Sequence, residues 1–184
     1  AAGAKLGKEI QAPTYWGDKV FTSGPVYFGA IVCFLFVLGM FVVKNPMKWW
    51  LFAGALFMTL LAFGRNLDGF NDFMFHHLPM YNKFRTVEMA LVIPNMVAPI
   101  IGIWGLMEIF SGKVERKTFM CGFYVSLALT GGLSLLLWLS PTLLLDFHSS
   151  YDAQYQLPEN YYNALLMDRA SLASSDALRS LLFI

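Results

Sequence analysis

The chain has 184 residues, 57% of them hydrophobic and only 14% charged, with a net charge of +1 at neutral pH. A water-soluble domain of this size needs more charge on its surface, so that class is disfavoured. The near-zero net charge and the lack of a basic stripe argue against a nucleic-acid partner.

The composition fits an all-α fold, a polytopic transmembrane helix bundle with four spans and external interfacial helices. Residues 1–24 form an N-terminal segment with no initiating Met and no pattern of basic, apolar and small residues to mark a signal peptide. A transmembrane region over residues 25–140 then holds four apolar runs: Pro25 to Val43, Trp49 to Phe63, Val87 to Phe110, and Phe119 to Ser140. A hydrocarbon core about 30 Å thick needs roughly 20 apolar residues per helix. The second run is short, but Lys48 can snorkel, and Trp49 and Trp50 suit an interface. Gly24 just before the first run, Gly29 and Gly39 within it, and Thr130, Gly131, Gly132 and Ser134 in the fourth suit close helix packing.

Between the second and third runs lies GRNLDGFNDFMFHHLPMYNKFRTVE, residues 64–88. Asp68 or Asn71 can cap a short helix that reaches His77, and Pro79 ends it. Its aromatic side would lie toward lipid in the interface. His76 and His77 are adjacent, so on a helix they point about 100° apart and make a poor pair of ligands for one metal. His148 is the only other histidine, and no span contains one, so bis-His haem ligation is disfavoured. No Cys/His zinc pattern is present. Cys33 and Cys121 fall in apolar runs and read as small hydrophobes. The sequence assigns no metal site and no cofactor.

Tyr81, Asn82, Lys83 and Arg85 precede the third run and are the candidate lipid-phosphate-binding residues. Arg makes forked bonds to phosphate, Lys a point-charge contact, and the free N–H groups of a helix start favour the same anion. Anchoring to ordinary phospholipid head groups uses the same residue types. In the third run Pro94 and Pro99 can kink the helix. Asn95 is the intramembrane polar candidate, expected to face other helices or a wet cavity.

The short loops carry Lys44 and Lys48, then Lys113, Arg116 and Lys117, five of the thirteen Lys and Arg. The positive-inside tendency therefore puts both short loops in the cytoplasm, and loop 64–88 and both chain termini outside. In the tail, residues 141–184, Pro158 and Glu159 suit a first helical turn. Tyr162, Leu165, Leu166, Arg169, Leu172 and Ala173 then share one face of an external amphipathic helix. Asp168, Arg169, Asp176 and Arg179 are expected to solvate that helix or to pair at i,i+3. Asp146 and Asp152 are carboxylates with no nucleophile beside them in the sequence. The chain stops at SLLFI, in an apolar run, which suggests an internal piece of a longer protein entering a fifth span.

Three stretches, YWGDKVFTSGPVYFGAIV, HHLPMYNKFRTVEMALVI and DRASLASSDALRSLLFI, resemble successive parts of the bacterial YfhO membrane proteins, especially the Bacteroidetes forms. The LPMYNKFR stretch is the most specific of the three. The resemblance implies a longer polytopic inner-membrane protein of GT-C-like glycosyltransferase architecture. It implies transfer of a sugar from a polyprenyl-phosphate donor to a cell-envelope acceptor, with membrane lipid and the rest of the full-length chain as partners. The catalytic acidic residue of such enzymes sits in a first external loop that nothing here matches, so no catalytic residue carries over. A lipid or sugar transporter or flippase, using a helix broken around Pro94 to Pro99, and a non-catalytic membrane scaffold are the alternative readings.

Overall fold

The structure, a computed structural model, describes residues 27–77, 87–149, 152 and 158–184. Every regular element among these residues is helical. They fall into two compact units, one up to Leu127 and the other from Ala128 onward.

The first unit contains α1 (Ala30–Val42), α2 (Met47–Phe63), a 3-10 turn (Gly64–Leu67) and α3 (Asp68–His77). After residues 78–86 come a 3-10 segment (Val87–Leu91), α4 (Val92–Phe110) and α5 (Arg116–Ser126). α1 packs on α4 and α5, while α2 packs on α4 and the 3-10 segment before it. Ala55, Val97 and Ile101 are buried at the centre, with Phe36, Met40 and Leu51 against them.

Glycine sets how closely α1 and α4 approach. A Cβ added to Gly105 would stand 2.7 Å from the Cα of Gly39, and one on Gly102 would stand 2.9 Å from the Cβ of Leu35. Gly39 belongs to the first apolar run, as expected of a packing glycine. Its partners come from the third run; in the fourth run Gly122 also packs closely, a Cβ there standing 3.0 Å from the Cβ of Phe41, but the middle of that run differs. Gly132 meets nothing within 4 Å, and Leu127–Gly131 forms a π-helical segment. Just before it the Ser126 hydroxyl donates to the Gly122 carbonyl at 2.7 Å. Such back-bonding bends helices, and the glycines that follow lower the cost of a widened turn.

Among the described residues, two helical stretches are long and apolar enough to cross a membrane: Met89–Phe110, with 22 residues, and Arg116–Leu139, with 24. At 1.5 Å per residue they measure about 33 and 36 Å. Ala30–Val42 and Met47–Phe63 are shorter apolar helices of 13 and 17 residues. The first run was expected to be helical from Pro25. Among the described residues helix begins at Ala30, because Gly29 is extended (φ −62°, ψ 139°) and acts as the N-cap.

The prolines of α4 perturb it less than the sequence suggests. Pro94 is the third residue of the α-helix, where its missing N–H has no intrahelical acceptor in any case. The residues before it take the tighter 3-10 form. α4 continues without interruption through Pro99 to Phe110, although Pro99 cannot donate to the Asn95 carbonyl. Lys48 also departs from expectation. It does not snorkel outward, but folds back so that Nζ donates to the Met40 carbonyl at 2.6 Å. The last carbonyls of α1 have no intrahelical donors, and the ammonium supplies one.

The second unit contains the π segment from Ala128, α6 (Gly132–Leu139), α7 (Pro141–Leu144) and α8 (Glu159–Phe183). α8 begins where Pro158 predicts, and the amide of Tyr162 closes its first turn on the Pro158 carbonyl at 3.1 Å. It runs unbroken for 25 residues and packs along α6, where the Ser174 hydroxyl donates to the Trp138 carbonyl at 3.0 Å.

Candidate functional site: a carboxylate–imidazole pair beside a buried arginine

The polar chemistry of the second unit gathers where residues 145–149 and Asp152 meet α8. Arg169 lies on the α8 face that also buries Leu165, and it is 0% exposed. A guanidinium cannot shed its charge, so a buried one needs a fixed partner. Asp152, 8% exposed, provides it. Arg169 Nη1 donates to Oδ2 at 2.8 Å and Nη2 to Oδ1 at 2.9 Å, a forked pair. Nη1 also donates to the Phe147 carbonyl at 2.7 Å. Asp152 Oδ2 accepts the Ser149 amide at 3.0 Å and the Tyr162 hydroxyl at 3.4 Å.

The electrostatic consequences follow from these contacts. The Arg169 hydrogen bonds, with help from the Ser149 amide, hold the Asp152 carboxyl below its ordinary range against the opposing effect of burial. Burial and the nearby Asp152 charge push the Tyr162 phenol above its ordinary value. Both oxygens of Asp152 are engaged by Arg169, so this carboxylate is a structural staple and a poor proton acceptor.

Asp146 is the available carboxylate. Its Oδ1 accepts the His148 amide at 3.0 Å, closing an Asx-type turn, and also meets His148 Nδ1 at 2.7 Å. The His148 amide and then its ring hydrogen bond hold the Asp146 carboxyl low. An ionised carboxylate is only an acceptor, so His148 carries a proton on Nδ1. The imidazole lies 6.1 Å from the Tyr162 ring. Beside this pair is an open cavity of about 540 Å³. Leu143, Leu144, Leu145, Leu166, Met167 and Ala170 form most of its wall, and Thr142, Asp146 and His148 supply its polar side chains.

The residues singled out from sequence lie elsewhere. Tyr81, Asn82, Lys83 and Arg85 are outside the described residues, as is the Pro79 stop. Asn95 is half-buried on α4, seven residues before Gly102 and so on the stripe that meets Leu35 of α1. That placement suits packing between helices. His76 and His77 close the end of α3 instead of converging on a metal: each Nδ1 donates to a carbonyl four residues back, Asp72 and Phe73, at 2.9 Å. Among the described residues no group of three or more His, Cys, Asp or Glu could hold a metal ion. Arg179 does pair with Asp176 at i,i+3, at 3.4 Å and exposed. Arg169 reaches 17 residues back to Asp152, which helix periodicity alone did not reveal. The signal was a charged residue set within the apolar face of its own helix.

Comparison with protein-family models, curated proteins and solved structures gives no match to this chain.

Proposed function

We propose that the chain is part of a polytopic inner-membrane protein of the YfhO type. It would work in the transfer of a sugar from a polyprenyl-phosphate donor to a cell-envelope acceptor. In this reading residues 25–140 cross the bilayer four times, with loop 64–88 and both termini outside. Tyr81, Asn82, Lys83 and Arg85 then contact the lipid phosphate at head-group depth, and the bond-making acid lies in another part of the full-length protein.

One observation carries the membrane part of this reading. Every exposed residue between Met89 and Phe110 is apolar: Met89, Val92, Ile93, Met96, Ile100, Ile103, Met107 and Phe110. Water would penalise such a surface, whereas hydrocarbon accepts it. The sugar-transfer part rests on the LPMYNKFR resemblance and on cations at that position, because a departing polyprenyl phosphate gains charge that a cation stabilises. The transporter alternative needs a discontinuous helix around Asn95, and the unbroken course of α4 weakens it.

The test uses the full-length protein in membranes. Single cysteines at Asn45, Asp72, Gly112 and Asp146, in a background lacking Cys33 and Cys121, should react with impermeant reagent from outside only at Asp72 and Asp146. Arg85→Ala should lower sugar transfer from a polyprenyl-phosphate donor at unchanged protein level. Labelling of position 112 from outside would overturn the topology, and parental turnover in Arg85→Ala would overturn the phosphate role.

A further inference from the structure

Two turns far apart in the chain come together at one end of the first unit. Gly102 packs on Leu35 and Gly105 on Gly39, so α1 and α4 run in the same direction and end side by side. The turn from α1 to α2, residues 43–46, and the turn from α4 to α5, residues 111–115, therefore share that end. Gly122 packs on Phe41, which carries Arg116, six residues earlier and about 9 Å along the helix axis, past the end of α1. The first turn brings Lys44 and Lys48, the second Lys113, Arg116 and Lys117, and the acidic residues beside them are Glu108 and Glu115. Lys48 is buried on the Met40 carbonyl. Lys44, Lys113, Arg116 and Lys117 are exposed, and none forms an ion pair among the described residues. α5 has no acidic residue in its first turn, and Glu115, its N-cap, makes no side-chain cap hydrogen bond. Cations in that turn oppose the helix dipole, so an anion from outside would relieve it. Trp49, Trp50 and Phe110 are exposed at the same end, Trp50 at 80% and Phe110 at 86%.

We infer that this end of the first unit binds an anionic phospholipid, its phosphodiester held by Lys44, Arg116 and Lys117 and its acyl chains against the exposed apolar side chains at the start of α2 and the end of α4. Charge sets the sign of the headgroup, because exposed cations from two separate turns meet here with few carboxylates among them. The aromatic side chains set its source. Tryptophan beside lysine and arginine suits the headgroup layer of a bilayer, and water would penalise Trp50 and Phe110 at such exposure. A soluble anion would use the cations but leave those rings in water. A zwitterionic lipid would cover the rings but bring its own cation to a face already in surplus. An anionic phospholipid satisfies both conditions. The inference rests on the membrane part of the proposed reading. It is independent of sugar transfer and of which leaflet this end meets.

The test uses the full chain in phosphatidylcholine nanodiscs. A bimane fluorophore is placed on Asn45→Cys, an exposed position in the first turn, in a background lacking Cys33 and Cys121. Phosphatidylglycerol and phosphatidylcholine, each spin-labelled near the headgroup end of an acyl chain, are the quenchers. Phosphatidylglycerol should reach half-maximal quenching at about one-fifth of the mole fraction that phosphatidylcholine needs, the worth of one cation near an anionic headgroup. Salt at about 1 M, where charges are screened beyond about 3 Å, should remove most of that gap. Arg116→Gln with Lys117→Gln, both at exposed positions, should bring the two midpoints together. If that double variant misfolds, Lys44→Gln alone should narrow the gap and decides the matter. Equal midpoints in the parental chain, a gap that salt leaves unchanged, or a gap that survives the charge substitutions would each overturn the inference and leave the membrane reading standing. No quenching by either lipid would overturn both.

Discussion

Replacing Arg169 by Met should uncouple Phe147 and Asp152 from α8 and open that helix locally. The side chain is fully buried and donates to both Asp152 oxygens and to the Phe147 carbonyl. Methionine keeps much of the volume but leaves Asp152 as a buried charge whose remaining polar contacts are the Ser149 amide and the Tyr162 hydroxyl. Removing one member of a buried ion pair costs about 3–5 kcal/mol, most of it from the partner left behind. Hydrogen exchange on the full chain in nanodiscs reads this locally. Amides from Leu165 to Ala170 should lose protection by roughly two to three orders of magnitude, at about 1.4 kcal/mol per factor of ten. Asp152→Asn should cost less, since it keeps one acceptor but turns an amide donor toward the guanidinium. The double variant Arg169→Met with Asp152→Leu should regain much of the loss, because an apolar pair of similar volume is close to neutral in stability. Parental exchange rates in Arg169→Met would refute the staple. So would a double variant whose loss is the simple sum of the single losses, since residues in contact must couple.

Two further predictions follow from the same structure. Asp152 has a depressed folded-state pKa, so its contribution is fully present above the ordinary Asp value of about 3.9 and is lost as pH falls through the lower folded value. Protection of α8 should therefore stay flat from neutral pH to about 5 and fall only in stronger acid, and Asp152→Asn should remove that acid dependence; an unchanged acid profile in the variant would contradict it. At the α1–α4 crossing, Gly105→Leu should force the helices apart, because even its Cβ would fall 2.7 Å from the Gly39 backbone. Overpacking of this kind costs about 1–3 kcal/mol, readable as a lower melting temperature in detergent, whereas Gly132→Ala, at a position with open space, should leave that temperature unchanged.

What could be read from the sequence divides by the range of the interaction. The α3 boundaries at Asp68 and His77 and the α8 start at Glu159 agree with their expected positions. The α8 start depends on a residue acting within one turn, Pro158. The all-helical class follows from long apolar runs with few breakers, again a local property. The features missed are all non-local. Lys48 reads as a snorkelling interface residue until the Met40 carbonyl, eight residues back, is seen beside it. Gly102 and Gly105 look like two more small residues in an apolar helix, and only the path of α1 makes them contacts.

Arg169 shows how the gap can be narrowed by physical argument. Its i,i+3 and i,i+4 neighbours include Leu165, Leu166, Leu172 and Ala173, so the apolar stripe that places α8 against the protein also carries a permanent cation inward. A surface carboxylate cannot neutralise it there, and water cannot reach it. The partner must therefore come from another segment, and the segment must be fixed by the contact. Asp146 and Asp152 are the acidic residues in the stretch leading to α8 that can reach back. Of the two, Asp146 is committed to its own turn by the His148 amide, which leaves Asp152 to meet the arginine. The local turn at Asp146 and the buried pair at Asp152 thus give the two carboxylates different roles, one bound to its own loop and one fastening that loop to α8.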